Sequence, residues 1–254
     1  MTDPSLNEKP FPNRATHKQA LVEGILQLHR WPHLGLLLKD IEALATIANE
    51  QRWPVNLLER TALYGGNSLF RPFFDSAQSF DFSCDPIETG YQAHWFSLDD
   101  RLMKRKSIEF FCNVLPSQHA CLTIIPNLLH HVDNPFDFLK SVSQKCHNLY
   151  IFDVALEEVH QAPNHWGFFT PDGIRSQLEH LGYRVERLST TGNAATVAAY
   201  FLDNYLQYED DERNMLDEQN IRKLANQLLD RVPKPNQTRS KTSTPMAWSV
   251  YATR

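Results

Sequence analysis

Short apolar runs alternate with helix-spaced apolar positions along most of this chain. The runs at Val55–Leu58, Ser79–Ser83, Ser107–Cys112, Cys121–Ile125, Asn148–Ala155 and Tyr183–Ser189 have the length and composition of strands. Between them, the pattern predicts a helix opening at Ser68–Phe74 and helices over Pro135–Lys145 and Thr170–Leu181. Thr170 is the expected N-cap of the last of these, with Pro171 in its first position. Strand alternating with helix at this spacing predicts a parallel sheet covered on both faces. A closing run, Met246–Thr253, alternates like a final strand, and after a helical excursion it is expected to return antiparallel at the sheet edge. The fold class is α/β, a doubly wound sheet of about seven strands with the last antiparallel.

The flanking segments divide the chain further. Residues 1–15 are polar and proline-bearing and read as a loose tail. Residues 16–51 carry two helical patterns separated by "RWPHL", an N-terminal addition placed to serve as a lid. The sheet domain is expected over 52–254. It is interrupted by helices at Ala194–Tyr208 and Asp211–Arg231 (an insertion over 194–231) and by a Pro, Lys, Ser and Thr rich linker over 233–244.

Composition narrows the function classes. With 254 residues and 42% hydrophobic content, the chain can bury one large core. A net charge of −5 lacks the basic balance of a nucleic-acid binder, and the run "RLMKRK" at 101–106 reads as a solvated face. No segment has the apolar length of a signal core or a bilayer span, so the expected location is the cytoplasm. Four scattered cysteines, Cys84, Cys112, Cys121 and Cys146, have neither disulfide nor zinc-site spacing. The expected partner is a small molecule rather than nucleic acid, with a homodimer as one admissible assembly.

In an open parallel sheet the ligand lies beyond the carboxyl ends of the strands, near the point where strand order reverses. Glu59 ends the first strand and "YGGN" follows it, so Gly65, Gly66 and Asn67 can bring backbone close to a ligand ahead of a helix N-terminus. Asp81 and Asp85 flank the end of the second strand, where a carboxylate can accept both hydroxyls of a ribose; the spacing leaves open which one does. Asn113 and Pro126 stand at the ends of the third and fourth strands. The histidines do not have metal-site spacing, for want of a third ligand. His130 reads as a packed or capping residue, whereas His131 and the loop residue His160 are placed at the rim.

Two longer segments carry a family likeness. "CLTIIPNLLHHVDNPFDFL" (121–139) resembles the fourth strand and following helix of class I S-adenosylmethionine-dependent methyltransferases of the type 11 kind. "HQAPNHWGFFTPDGIRSQLEHLGYRVERL" (160–188) resembles the segment after their fifth strand, in the same order and spacing. "LLERTALYGGNSLFRPFF" (57–74) is then similar to the family's first motif. The resemblance implies a Rossmann-like fold and S-adenosylmethionine as cofactor. The implied cofactor residues are Glu59, Gly65, Gly66, Asn67, Asp85, Asn113 and Pro126, and the implied catalytic candidates are His160 and His131. It also implies methyl transfer to a small or medium organic acceptor such as a sugar, lipid or secondary metabolite. The first motif departs from the family: Arg60, Thr61 and Ala62 stand where glycines usually follow the acidic residue, and Cys121 replaces a usual aspartate. A methyltransferase-like binding or scaffolding protein without catalysis is the alternative that these departures raise.

Overall fold

The computed structural model describes residues 34–59, 70–82, 94–95, 122–132, 134–156, 167–208, 215–229 and 245–254. Strands β1 (Val55–Glu59), β2 (Ala77–Asp81), β3 (His94–Trp95), β4 (Leu122–Pro126), β5 (Asn148–Val154), β6 (Arg184–Thr191) and β7 (Ala247–Thr253) form one seven-stranded sheet. Its order is β3-β2-β1-β4-β5-β7-β6, parallel from β3 to β5, with β7 antiparallel to both of its neighbours. The doubly wound α/β fold expected from the alternation is the fold found.

Every residue of β1 and β4 is buried, because both faces of the central sheet are covered. On one face Leu58, Ile125, Leu149, Ile151 and Trp248 pack against helices α2 (Pro135–Ser143) and α3 (Pro171–His180). On the other, Val55, Leu57, Ile124, Tyr150 and Phe152 pack against α1 (Leu34–Glu50) and the segment Phe70–Phe74. α1 therefore contributes a wall of the core through Leu37, Ile41, Leu44 and Ala48. Helices α4 (Ala194–Tyr208) and α5 (Met215–Leu229) pack against each other in the region of the predicted insertion.

The helix starts follow their local chemistry. Thr170 accepts the Gly173 N–H at 3.1 Å with Pro171 next to it, and Asn134 accepts the Asp137 N–H at 3.3 Å ahead of α2. α3 ends in a Schellman motif: Tyr183 N–H donates to Leu178 O at 2.9 Å and Gly182 N–H to Glu179 O at 3.0 Å, with Gly182 at φ +84°.

Two expectations are corrected. β7 does not lie at the edge; it is inserted between β5 and β6, and β6 takes the edge. The sequences of the two strands explain the exchange. Ala247, Trp248, Ser249 and Val250 are all buried, whereas β6 carries Arg184, Glu186 and Arg187, charges suited to an edge. No helix opens at Phe70–Phe74, where Arg71–Phe73 makes a single 3-10 turn and Phe74 is already extended. Asn49 of α1 clamps the exit of that turn by donating to Phe73 O at 3.0 Å and accepting from Asp75 N–H at 2.8 Å. The third strand is found at His94–Trp95, and the one expected at Ser107–Cys112 lies outside the described residues. Among the described residues no helix is long and apolar enough to cross a membrane.

Candidate functional site

The chain moves outward from β1 through β2 to β3 and then returns to the far side of β1 as β4, so strand order reverses between β1 and β4. That reversal is where doubly wound sheets hold their ligands. The pairing of β1 with β4 stops at Leu57 and Ile124, although β4 continues to pair with β5 through Pro126 and Phe152.

Pro126 accounts for the parting. Leu122 donates to Pro54 O at 3.2 Å on the β1 side, and Asn127 donates to Phe152 O at 2.7 Å on the β5 side. Alternate residues of a strand donate to opposite neighbours, so the nitrogen at position 126 faces β1. As proline it has no hydrogen to give, and the ladder ends where Glu59 would have met it. The early end of the β1/β4 ladder is thus written into one residue.

Three polar residues end the strands at this reversal. Glu59 is fully buried at the end of β1 and accepts the Ser79 hydroxyl at 2.8 Å from β2. Asp81 ends β2, opposite Glu59 in register. Asn127, one residue past β4, is 6% exposed and adopts φ +52°. Its side-chain oxygen has no hydrogen-bond partner among the described residues.

Beyond Asn127 the turn Leu129–His131 buries both of its histidines. Asp153 of β5 accepts from the His130 ring through Nδ1, from the His130 backbone N–H at 3.2 Å and from the Val154 N–H at 2.8 Å. One buried carboxylate therefore fixes both the ring and the backbone of the turn. His131 lies against the His130 ring with centroids 3.9 Å apart, and Phe168 stacks on His130 at 6.0 Å. Among the described residues no group of three or more His, Cys, Asp or Glu side chains could hold a metal ion.

Of the residues singled out from sequence, Glu59, Pro126 and His131 fall at the carboxyl ends of β1 and β4 or in the turn beyond. Gly65, Gly66, Asn67, Asp85, Asn113 and His160 lie outside the described residues. Sequence reasoning missed Asn127 and Asp153. An asparagine directly after a strand-ending proline, and a lone carboxylate inside the apolar run "NLYIFDV", were the available signals.

The chain is a doubly wound α/β protein whose strand order reverses between β1 and β4, the place where such sheets hold ligands. No known family model matches the sequence, and no curated protein matches it. Solved structures similar to it include the plantazolicin methyltransferase BamL in complex with a triazolic desmethylPZN analogue and SAH (9% identity, TM-score 0.45, covering 96% of this chain and 91% of that one). The cyclopropane-fatty-acyl-phospholipid synthase-like protein from Lactobacillus casei ATCC 334 is similar at 12% identity and TM-score 0.43, over 96% of this chain and 94% of that one. The [4+2]-cyclase SpnF is similar at 8% identity and TM-score 0.39, over 85% and 81% of the two chains. These likenesses are remote, and what bears on function is the chain's own site.

Proposed function

We propose that the chain is an S-adenosylmethionine-dependent methyltransferase acting on a small or medium organic acceptor such as a sugar, lipid or secondary metabolite. The observation that carries the reading is the end of the β1/β4 pairing at Pro126, where strand order reverses, with buried Glu59 and Asn127 at the two strand ends. This point of the sheet joins two segments whose residues resemble the methyltransferase motifs. The acceptor-rich ends of β1 and β4 also suit a cofactor that offers hydroxyls and an ammonium as donors and a positive sulfonium, rather than a pyrophosphate.

When bound, the cofactor supplies an electrophilic methyl carbon on a charged sulfur. The chain's part is to bind, align and exclude water. We assign the holding of the cofactor to Glu59, Gly65, Gly66, Asn67, Asp85, Asn113 and Pro126, with Asp85 at the ribose. A hydroxyl acceptor must lose its proton as the new bond forms, and we assign that transfer to His160 and His131. Asp153, holding His130 beside His131, keeps the turn under the acceptor in one shape.

Calorimetric titration with S-adenosylmethionine and S-adenosylhomocysteine tests the reading. Micromolar binding by the unaltered chain, lost in Asp85→Ala, is the expected result. Binding of neither ligand by the unaltered chain would overturn it.

A further inference from the structure

We propose that Asn127 is a ligand-contacting residue whose side-chain carbonyl accepts a hydrogen bond from an N–H donor of the molecule seated between β1 and β4. The proposal rests on the cofactor reading above and adds to it a residue that the sequence did not single out.

Three observations converge on this residue. Asn127 stands directly beyond β4 at the reversal of strand order, where its neighbour Pro126 ends the pairing with β1. It is 6% exposed, and its side-chain oxygen has no partner among the described residues. It is held at φ +52°, pinned by its own N–H on Phe152 O at 2.7 Å. A buried carbonyl without a donor is a standing penalty in the ligand-free protein, and native structures rarely keep one without a use.

A local role for the side chain does not account for it. Asparagine is tolerated at positive φ partly because its side chain bonds its own turn, and here that bond is missing. Glycine would satisfy the backbone without burying a carbonyl. Glu59 and His130 each bury a second side-chain atom, Oε2 and Nε2, but both side chains are already held through another atom, Glu59 by the Ser79 hydroxyl and His130 by Asp153. Thr123 also buries an oxygen with no partner among the described residues, but it lies mid-strand in register with Asn56 and Leu149, below the strand ends.

An acceptor oxygen calls for a donor, and the cofactor offers two N–H groups, the ammonium of its amino-acid part and the amine of its adenine. Two ligands separate them, because 5′-methylthioadenosine keeps the adenine and lacks the amino acid. Two variants separate function from folding, Asn127→Gly, which relaxes the backbone and removes the carbonyl, and Asn127→Asp, which can only accept.

The test measures thermal midpoints of the ligand-free proteins and calorimetric affinities for S-adenosylhomocysteine and 5′-methylthioadenosine. Asn127→Gly is expected to keep or raise the midpoint while weakening S-adenosylhomocysteine about ten-fold or more, the worth of a hydrogen bond to a charged donor. Asn127→Asp is expected to hold that affinity within a few-fold or to tighten it. Weakening confined to S-adenosylhomocysteine assigns the contact to the ammonium, and weakening of both ligands assigns it to the adenine amine. Unchanged affinities in Asn127→Gly, a lowered midpoint in that variant, or loss of binding in Asn127→Asp would each overturn the proposal while leaving the methyltransferase reading intact. Failure of the unaltered chain to bind either ligand would overturn both.

Discussion

Asp40 of α1 and Arg187 of the edge strand β6 form an ion pair at 2.8 Å, in which the carboxylate is buried and the guanidinium about a third exposed. The other carboxylate oxygen accepts Tyr150 Oη of β5 at 3.2 Å and Ser249 Oγ of β7 at 2.6 Å. Three neighbouring strands thus converge on one helical carboxylate. A buried charge is tolerable only when paired and hydrogen-bonded, and this arrangement fixes where α1 crosses the sheet.

Removing Asp40 leaves two buried hydroxyls and a guanidinium without their acceptor. Asp40→Ala is expected to cost about 3 kcal/mol, within the range for breaking a buried charged network. Arg187→Ala should cost less, about 2 kcal/mol, because the guanidinium keeps some water and Asp40 keeps two hydroxyls. Urea unfolding checks both, with a lowered midpoint and an unchanged slope as the signature. Equal stability of Asp40→Ala and the unaltered protein would remove the network from the account of how α1 is held.

Tyr150 gives the same network a pH signature. Burial, and then the nearby Asp40 charge, push its phenol well above the ordinary value near 10. The folded state therefore holds the proton more tightly than the unfolded chain. The resulting stability is complete below the unfolded value near 10 and is lost as pH rises from there through the raised folded value. Tyr150→Phe should lack this alkaline decline, so the stability difference between the two proteins should narrow or reverse as pH rises above about 10. Parallel denaturation curves at pH 8 and pH 11 decide it, and an unchanged difference would count against a buried neutral phenol.

Two glycines at positive φ should respond differently to the same change. Gly182, at φ +84°, closes the Schellman motif of α3, and an added Cβ would meet only the Arg254 guanidinium at 3.6 Å. Gly182→Ala should cost about 1–2 kcal/mol, the backbone penalty alone. Gly192, at φ +83°, would place its Cβ 2.7 Å from Met246 Cβ and 3.1 Å from Met246 N, where Thr191 receives the Met246 N–H. Gly192→Ala should lose that backbone term and repacking at the β6/β7 joint besides, about 3 kcal/mol or more in all. Thermal unfolding of the two variants side by side is the check, and Gly182→Ala proving the less stable would refute the ordering.

What could be read in the sequence follows from which interactions are local. β4 and β5 were legible because strands buried on both faces are continuous apolar runs, and α3 because Thr170 and Pro171 mark its start within the chain itself. The place of β7 was not legible. Its alternation predicts a strand, but its insertion between β5 and β6 depends on tertiary pairing. The turn at Arg71–Phe73 was misread for a similar reason, since Asn49 clamps it from another element. At the site, Glu59 and Pro126 announced themselves as strand ends. The consequence of Pro126 needed the knowledge that its nitrogen faces β1. Asn127 and Asp153 gained meaning only through a dihedral angle and a partner on the neighbouring strand.

His130 and Asp153 supply the last prediction. His130, read from its place in the chain as a packed or capping residue, has its ring and its backbone held by one carboxylate from β5. If Asp153 fixes the turn through His130, the two residues should be energetically coupled. Asp153→Ala strands the Val154 N–H and both His130 donors in a buried site and should cost about 3–5 kcal/mol. His130→Ala leaves Asp153 with two backbone donors and should cost less. The double variant should then be more stable than the sum of the two losses predicts, by about 1–3 kcal/mol, as for groups in direct contact within one network. A double-mutant cycle by urea denaturation measures this coupling directly. Additive losses would mean that the carboxylate serves β5 alone, and that the histidine turn takes its shape from the apolar packing of Leu128 and Leu129.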